Sequence, residues 1–263
     1  TLAQLIENRS VRHGVIEDWS DFRYRGLHVI ACDVDALKVQ SSVIRRIMVP
    51  LRYNQILLEC KYVRWPSQPE IHHPQGMPYE DFTALIAFAE QRFITAIPCI
   101  NTYGHSEYLF YNQANLDIAE DPTSPFAYDV SNPRTWEVIS ALLSDVRNAA
   151  PKAPWIHIGH DEVVMRGRYP HRPANLKKSL AELLSQDLAF YKAWAARNGT
   201  ALMVWNDYLS GRSHPKAQAE LQSVISTLDR STVVAMWDYD PASDYSGCDP
   251  FLSRGVTVFG ATG

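Results

Sequence analysis

Trp155–Val163 reads WIHIGHDEV, an apolar stretch of strand length that runs directly into adjacent carboxylates, Asp161 and Glu162. An apolar run of this kind predicts a strand covered on both faces, as in a parallel sheet. Outward from it the same signature returns at Gly26–Val34 (GLHVIACDV), Asn54–Cys60 (NQILLEC) and Ile94–Ile100 (ITAIPCI). It returns again at Ala201–Trp205 (ALMVW), Val233–Trp237 (VVAMW) and Val256–Gly260 (VTVFG). Helical patterns lie between these runs. Tyr79–Gln91 places Phe82, Leu85, Ile86 and Ala89 on one face. Pro133–Ala149 opens with Asn132 as N-cap and Pro133 at the first helical position, and Leu176–Arg197 stops at Asn198-Gly199. Such alternation predicts an α/β fold with a parallel sheet, open or closed.

The 263-residue length suits a single barrel of roughly 250 residues. Seven strands are identifiable, and the sequence stops three residues after the seventh. In a closed barrel the eighth strand would be missing, so residues 1–263 are expected to form one catalytic barrel domain that is C-terminally incomplete. The long segments Lys61–Pro78 and Asn101–Asn132 both follow strands, where a barrel builds its active site.

Composition narrows the function. Hydrophobic residues make up 46% of the chain, and the net charge is −4 with no Lys/Arg cluster. Nucleic acid is therefore not an expected partner, since phosphate binding needs concentrated basic charge. No apolar run approaches the roughly 20 residues that span a bilayer, so no membrane is expected either. The opening TLAQLIENRSVRHG lacks a basic stretch followed by an apolar core, as a secretion signal would have. Cys32, Cys60, Cys99 and Cys248 are widely spaced and read as free thiols, which points to a cytoplasmic protein. Oligomeric state has no signature in the sequence.

Two acids at the end of a buried strand are costly. Mutual repulsion and partial burial raise the pKa of one, which suits a general acid with a charged assistant. The competing reading is an acid pair that faces solvent or caps the next helix. His157 and His160 invite a metal, but their odd spacing points them to opposite faces of the strand. HExxH and Cys/His ligand spacings are absent, so no metal and no cofactor are expected. Trp205 and Trp237 end successive strands, each followed by an acid and a tyrosine: Asp207 and Tyr208, then Asp238 and Tyr239. Indole faces there suit sugar rings, whose C–H faces are apolar and whose edges need hydrogen bonds. A lone Trp would as readily be core. Arg25 could bind a ligand or serve as a buried structural ion, and His105 could bind a ligand or tie down its loop.

The ordered set YRGLH (Tyr24–His28), YNQILLE (Tyr53–Glu59), IPCINTYGHSE (Ile97–Glu107), HIGHDEV (His157–Val163), VWNDYL (Val204–Leu209) and MWDY (Met236–Tyr239) resembles glycoside hydrolase family 20. It is most similar to the family's hexosaminidase D branch. The resemblance implies a (β/α)8 TIM-type barrel and an exo-acting β-N-acetylhexosaminidase, with an oligosaccharide or glycoconjugate ending in N-acetylhexosamine as substrate. It implies a retaining, substrate-assisted mechanism in which the 2-acetamido oxygen attacks C1. Glu162 would protonate the leaving oxygen, and Asp161 would orient the acetamido nitrogen. Arg25 would bind sugar hydroxyls, Glu59 and His105 would line the same pocket, and Trp205 and Trp237 would wall the acetamido site. Tyr239 would hydrogen-bond the acetamido oxygen, and Asp207 is expected as a further substrate-binding residue. The sequence departs from the family in three places. His160 replaces a usual Gly, ECKY replaces a more acidic run, and the seventh strand ends in GATG. Two other readings remain open: a sugar-binding barrel without turnover, and a metal-dependent barrel hydrolase.

Overall fold

A computed structural model describes residues 6–7, 10–11, 15, 17, 19–207, 209, 218–237, 239 and 245–261. Tyr208 and Asp238 lie outside the described residues. Seven strands run parallel in chain order: β1 (Gly26–Ile30), β2 (Gln55–Glu59), β3 (Thr95–Thr102), β4 (Trp155–Gly159), β5 (Ala201–Trp205), β6 (Val233–Trp237) and β7 (Thr257–Ala261). Each pairs with the next, and the sheet curls as a barrel does, with β1 and β7 as its two edges. A two-residue strand pair, Ile6–Glu7 with Ser10–Val11, stands apart from it.

Helices α1 (Ala36–Val43), α2 (Tyr79–Glu90), α3 (Pro133–Ala149), α4 (Leu180–Arg197), α5 (Gln218–Ile225) and α6 (Asp249–Leu252) lie in the crossovers. The sequence reading passed over α1, α5 and α6, which are too short to carry a clear apolar period. Helix α3 begins and ends where expected, with the Asn132 side chain accepting from Arg134 N. Helix α4 starts four residues later than expected. The chain before it is drawn into a polar cluster: Glu120 accepts the His171 and Arg172 N–H groups, and Asn175 donates to both Glu120 and Asp129. Ser179 then opens the helix with a capping box. Its hydroxyl accepts from Glu182 N, and its own N–H donates to the Glu182 carboxylate at 2.7 Å.

The strands' period of two divides the interior into separate cores. One face of each strand, such as Ile56 and Leu58 on β2 or Ile156 and Ile158 on β4, packs against the helices. The other face fills the hollow of the curl with Leu57, Ile97, Trp155, Met203, Val233, Ala235 and Phe259. Tyr24, just ahead of β1, packs against Trp155 and Phe259, the latter at 4.7 Å between ring centroids. The amino-terminal half of the hollow is thereby plugged, and any cleft must open at the carboxyl ends of the strands.

The capping box predicts a specific loss. Ser179→Ala should lower stability by about 1 kcal/mol in a urea melt. A variant as stable as the parent would show that the interactions at the start of α4 contribute nothing.

Candidate active site

Each of the first six strands sends a residue to one cleft of about 280 Å³. His28 lies on β1; Glu59 ends β2 and Lys61 follows it; Asn101 is on β3 and His105 just beyond. Asp161 and Glu162 follow β4, Trp205 ends β5, Trp237 ends β6, and Tyr239 comes two residues later. The sites expected at Glu59, His105, Asp161, Glu162, Trp205, Trp237 and Tyr239 thus converge. Lys61, Asn101 and His28 join them without having been singled out. Alternation puts His28 on the same face of its strand as Gly26 and Ile30, but the sequence alone does not say that this face lines a cleft.

Arg25 calls for a correction. It stands immediately before β1, at the amino end of the sheet, and is not among the residues that line the cleft. Its guanidinium donates to the Arg52 and Phe22 carbonyls. It therefore ties the chain ahead of β1 to the turn before β2 and stands away from the cleft. Asp207 also differs from expectation. It is 2% exposed and lies behind the cleft wall. It accepts the Glu162 N–H at 3.2 Å and the Trp237 indole N–H, so it holds two cleft residues in place. Asn206 accepts the Trp237 backbone N–H at 2.9 Å.

The acid pair sits on a turn of unusual backbone. Gly159, His160 and Glu162 have φ of +69°, +70° and +48°. The left-handed region suits Gly but costs other residues, so tertiary contacts must impose it at 160 and 162. The facing loop is equally bent: Tyr103 and His105 have φ of +66° and +52°. Gly104 between them is irreplaceable on steric grounds, because a Cβ there would lie 1.9 Å from the Asp161 carbonyl oxygen. This approach brings His105 Nε2 to 2.9 Å from Glu162 Oε2 and 3.6 Å from Asp161 Oδ2. The His105 ring packs edge-on against Phe126.

Burial pushes the Asp161 carboxyl above its ordinary range, opposed by His105 and reinforced by the Glu162 charge. Asp161 Oδ1 is buried with no hydrogen-bond partner in the protein, while the Asp161 side chain as a whole keeps 16% exposure at the cleft. At the other end of the cleft burial would raise Glu59, but His28 and Lys61, each with a contact at 3.4 Å, outweigh it and hold Glu59 below the ordinary carboxylate range. Lys61 also reaches Glu107 at 3.3 Å. His157 is fully buried and stands outside the cleft lining. Its Nδ1 accepts the Gly159 N–H at 3.0 Å, and its ring packs on Trp205 at 4.3 Å. Burial holds its pKa well below the ordinary histidine value, so it is neutral. Among the described residues no group of three or more His, Cys, Asp or Glu side chains is placed to hold a metal ion.

The catalytic-domain model of glycosyl hydrolase family 20 matches residues 62–257. The chain belongs to glycoside hydrolase family 20. Among family 20 relatives, hexosaminidase D from Bos taurus is 26% identical over 208 residues, covering 76% of this chain and 54% of that protein. The chain thus spans about half the length of this relative. Two solved family 20 structures share the fold. A chitobiase from Flavobacterium johnsoniae has a TM-score of 0.74 at 21% identity, covering all of this chain and 42% of that one. An exo β-N-acetylglucosaminidase from Vibrio harveyi, in complex with N-acetylglucosamine, has a TM-score of 0.70 at 21% identity, covering 92% of this chain and 42% of that one.

Asp207 generates a pH prediction. Burial and the nearby Asp161 charge push its carboxyl up to about 7, against an ordinary value of about 3.9. The folded chain therefore binds this proton more tightly than the unfolded chain does. The resulting stabilisation is complete below about pH 4 and is lost as pH rises through about 7. Urea melts between about pH 5 and pH 8 should show the parent losing more stability than Asp207→Asn. Identical pH dependence would remove Asp207 as the source.

Proposed function

We propose that this chain is the catalytic barrel of an exo-acting β-N-acetylhexosaminidase. In this reading it releases terminal β-linked N-acetylglucosamine or N-acetylgalactosamine from an oligosaccharide or glycoconjugate by a retaining, substrate-assisted mechanism. The observation that carries the reading is the pairing of Asp161 and Glu162 over one cleft, with Asp161 Oδ1 unpartnered and Glu162 held by His105. Family membership supports a glycoside substrate. The four unpaired thiols support a reducing, cytoplasmic setting.

The roles follow from position. Glu162, the more exposed acid at 34%, faces the cleft and donates a proton to the leaving oxygen, then activates water. Its backbone is fixed by Asp207 and its carboxylate by His105, so the proton is delivered along one line. Asp161, at 16% exposed, accepts the acetamido N–H through its carboxylate while the acetamido oxygen attacks C1. Positive charge builds on that nitrogen in the transition state. A carboxylate against it stabilises the transition state more than the ground state, and only that difference accelerates the reaction. Trp205, Trp237 and Tyr239 wall the acetamido pocket, with the Trp237 indole fixed by Asp207.

Glu162→Gln should cut turnover by ~10²–10⁴-fold on N-acetyl-β-hexosaminides with poor leaving groups, and by less as the leaving group improves. Equal loss across a leaving-group series would reject Glu162 as proton donor, and no turnover by the parent would reject the hydrolase reading.

Asp161→Asn should lower kcat strongly with little change in KM. A thiazoline mimic of the cyclic intermediate should bind the parent far more tightly than substrate and lose that advantage in the variant. Mass-spectrometric detection of a covalent adduct on Asp161 with a 2-fluoro glycoside would overturn substrate assistance.

A further inference from the structure

The turn that carries the acid pair is held by contacts already described: Asp207, behind the cleft wall, accepts the Glu162 N–H, and His105 meets the Glu162 carboxylate. His160, with φ of +70°, needs a restraint of its own, because no glycine eases that conformation. Its side chain turns away from the cleft, through the sheet toward α4. There His160 Nε2 lies 2.9 Å from Asp187 Oδ2, with the two side chains 1% and 0% exposed. Asp187 also accepts the Tyr128 hydroxyl at 2.8 Å, and that hydroxyl meets Tyr191 at 2.8 Å. Tyr103 stacks on Tyr128 with centroids 5.4 Å apart and lies 5.6 Å from the His160 ring. Tyr103 begins the bent loop that carries Gly104 and His105. One buried cluster anchored on α4 therefore touches both loops that hold the acid pair.

We propose that the His160–Asp187 pair is a positioning device for Asp161 and Glu162, holding the left-handed turn from the α4 side while Asp207 holds the Glu162 N–H. The proposal rests on the hydrolase reading of the same cleft. Neither His160 nor Asp187 lines the cleft, so loss of the pair leaves the sugar contacts in place. What it disturbs is the aim of Glu162 at the leaving oxygen, and misplacement of a catalytic group is expensive in rate. A broken pair thus shows itself in kcat, most for leaving groups that depend on proton donation. KM stays near the parent value.

The test uses Asp187→Asn, which keeps shape and removes charge, and His160→Asn. Asparagine tolerates the left-handed backbone but is too short to reach Asp187, so the second variant separates backbone tolerance from the contact. For each, kcat and KM are measured across a leaving-group series of N-acetyl-β-hexosaminides, with hydrogen exchange followed in peptides spanning residues 159–165. Expected are a kcat loss of about tenfold or more on poor leaving groups, a smaller loss on activated aryl glycosides, KM within about twofold, and faster exchange in that peptide. A purely structural role would scale kcat by one factor across the series, and that result, or unchanged kcat and exchange, overturns the proposal. If Asp187→Asn does not fold, His160→Asn alone decides. If the parent hydrolyses none of these substrates, the proposed function fails. The exchange rates then decide whether the clamp exists: faster exchange in the variants supports it and equal exchange rejects it.

Discussion

The site depends on a backbone constraint, the left-handed turn at the carboxyl end of β4. A strand buried on both faces must end by delivering two carboxylates to a cleft, and Gly159, His160 and Glu162 all take positive φ to do so. Two of the three are not glycine, and such strain costs about 1–3 kcal/mol each. The cost is met by contacts from four directions. His105 comes from the β3 loop, Asp207 from the β5 loop and Asp187 from α4, while the Gly104 backbone presses on Asp161 from above. Removing any of these supports leaves a turn that the local sequence does not favour.

The curl of the sheet gives the same strands two tasks. Their early residues fill the hollow with Trp155, Phe259, Ile97 and Met203, and their last residues line the cleft. His157 marks the boundary. It is fully buried, neutral and packed against Trp205 at a tilt, and its acceptor nitrogen takes the Gly159 N–H, so it joins the apolar plug to the turn that carries the acids. Rigid strand ends set the acids' neighbours, and loops supply the adjustments.

Charge is distributed unevenly along the cleft. At one end Glu59 and Glu107 share Lys61, and Glu59 also meets His28, so Glu59 is held below the ordinary carboxylate range. Burial pushes Asp161 in the cleft and Asp207 behind its wall upward. Opposite treatment of carboxylates in and beside one cleft is how a protein separates groups that bind from groups that handle protons. Lys61 sits where the sequence showed ECKY in place of a more acidic run, and its pairing with both glutamates accounts for the substitution electrostatically.

The sequence by itself determined the strand–helix order, the seven strands and the identity of the acid pair. Those signals are local: apolar runs of strand length, a capping asparagine before Pro133, and adjacent acids after WIHIG. The ordered motifs likewise sufficed to point to family 20, which the match over residues 62–257 establishes. Tertiary structure alone decided which end of a strand a residue occupies relative to the cleft. Arg25 was expected to bind sugar hydroxyls but lies at the amino end, while Lys61 and Asn101, the first residues of two long loops and not singled out within them, line the cleft. It also decided that Asp207 and His160 work from behind the wall. Their partners, Glu162, Trp237 and Asp187, are 27 to 45 residues away in sequence. No periodicity reports such pairings, because they exist only once the sheet has curled and α4 has packed against its outer face.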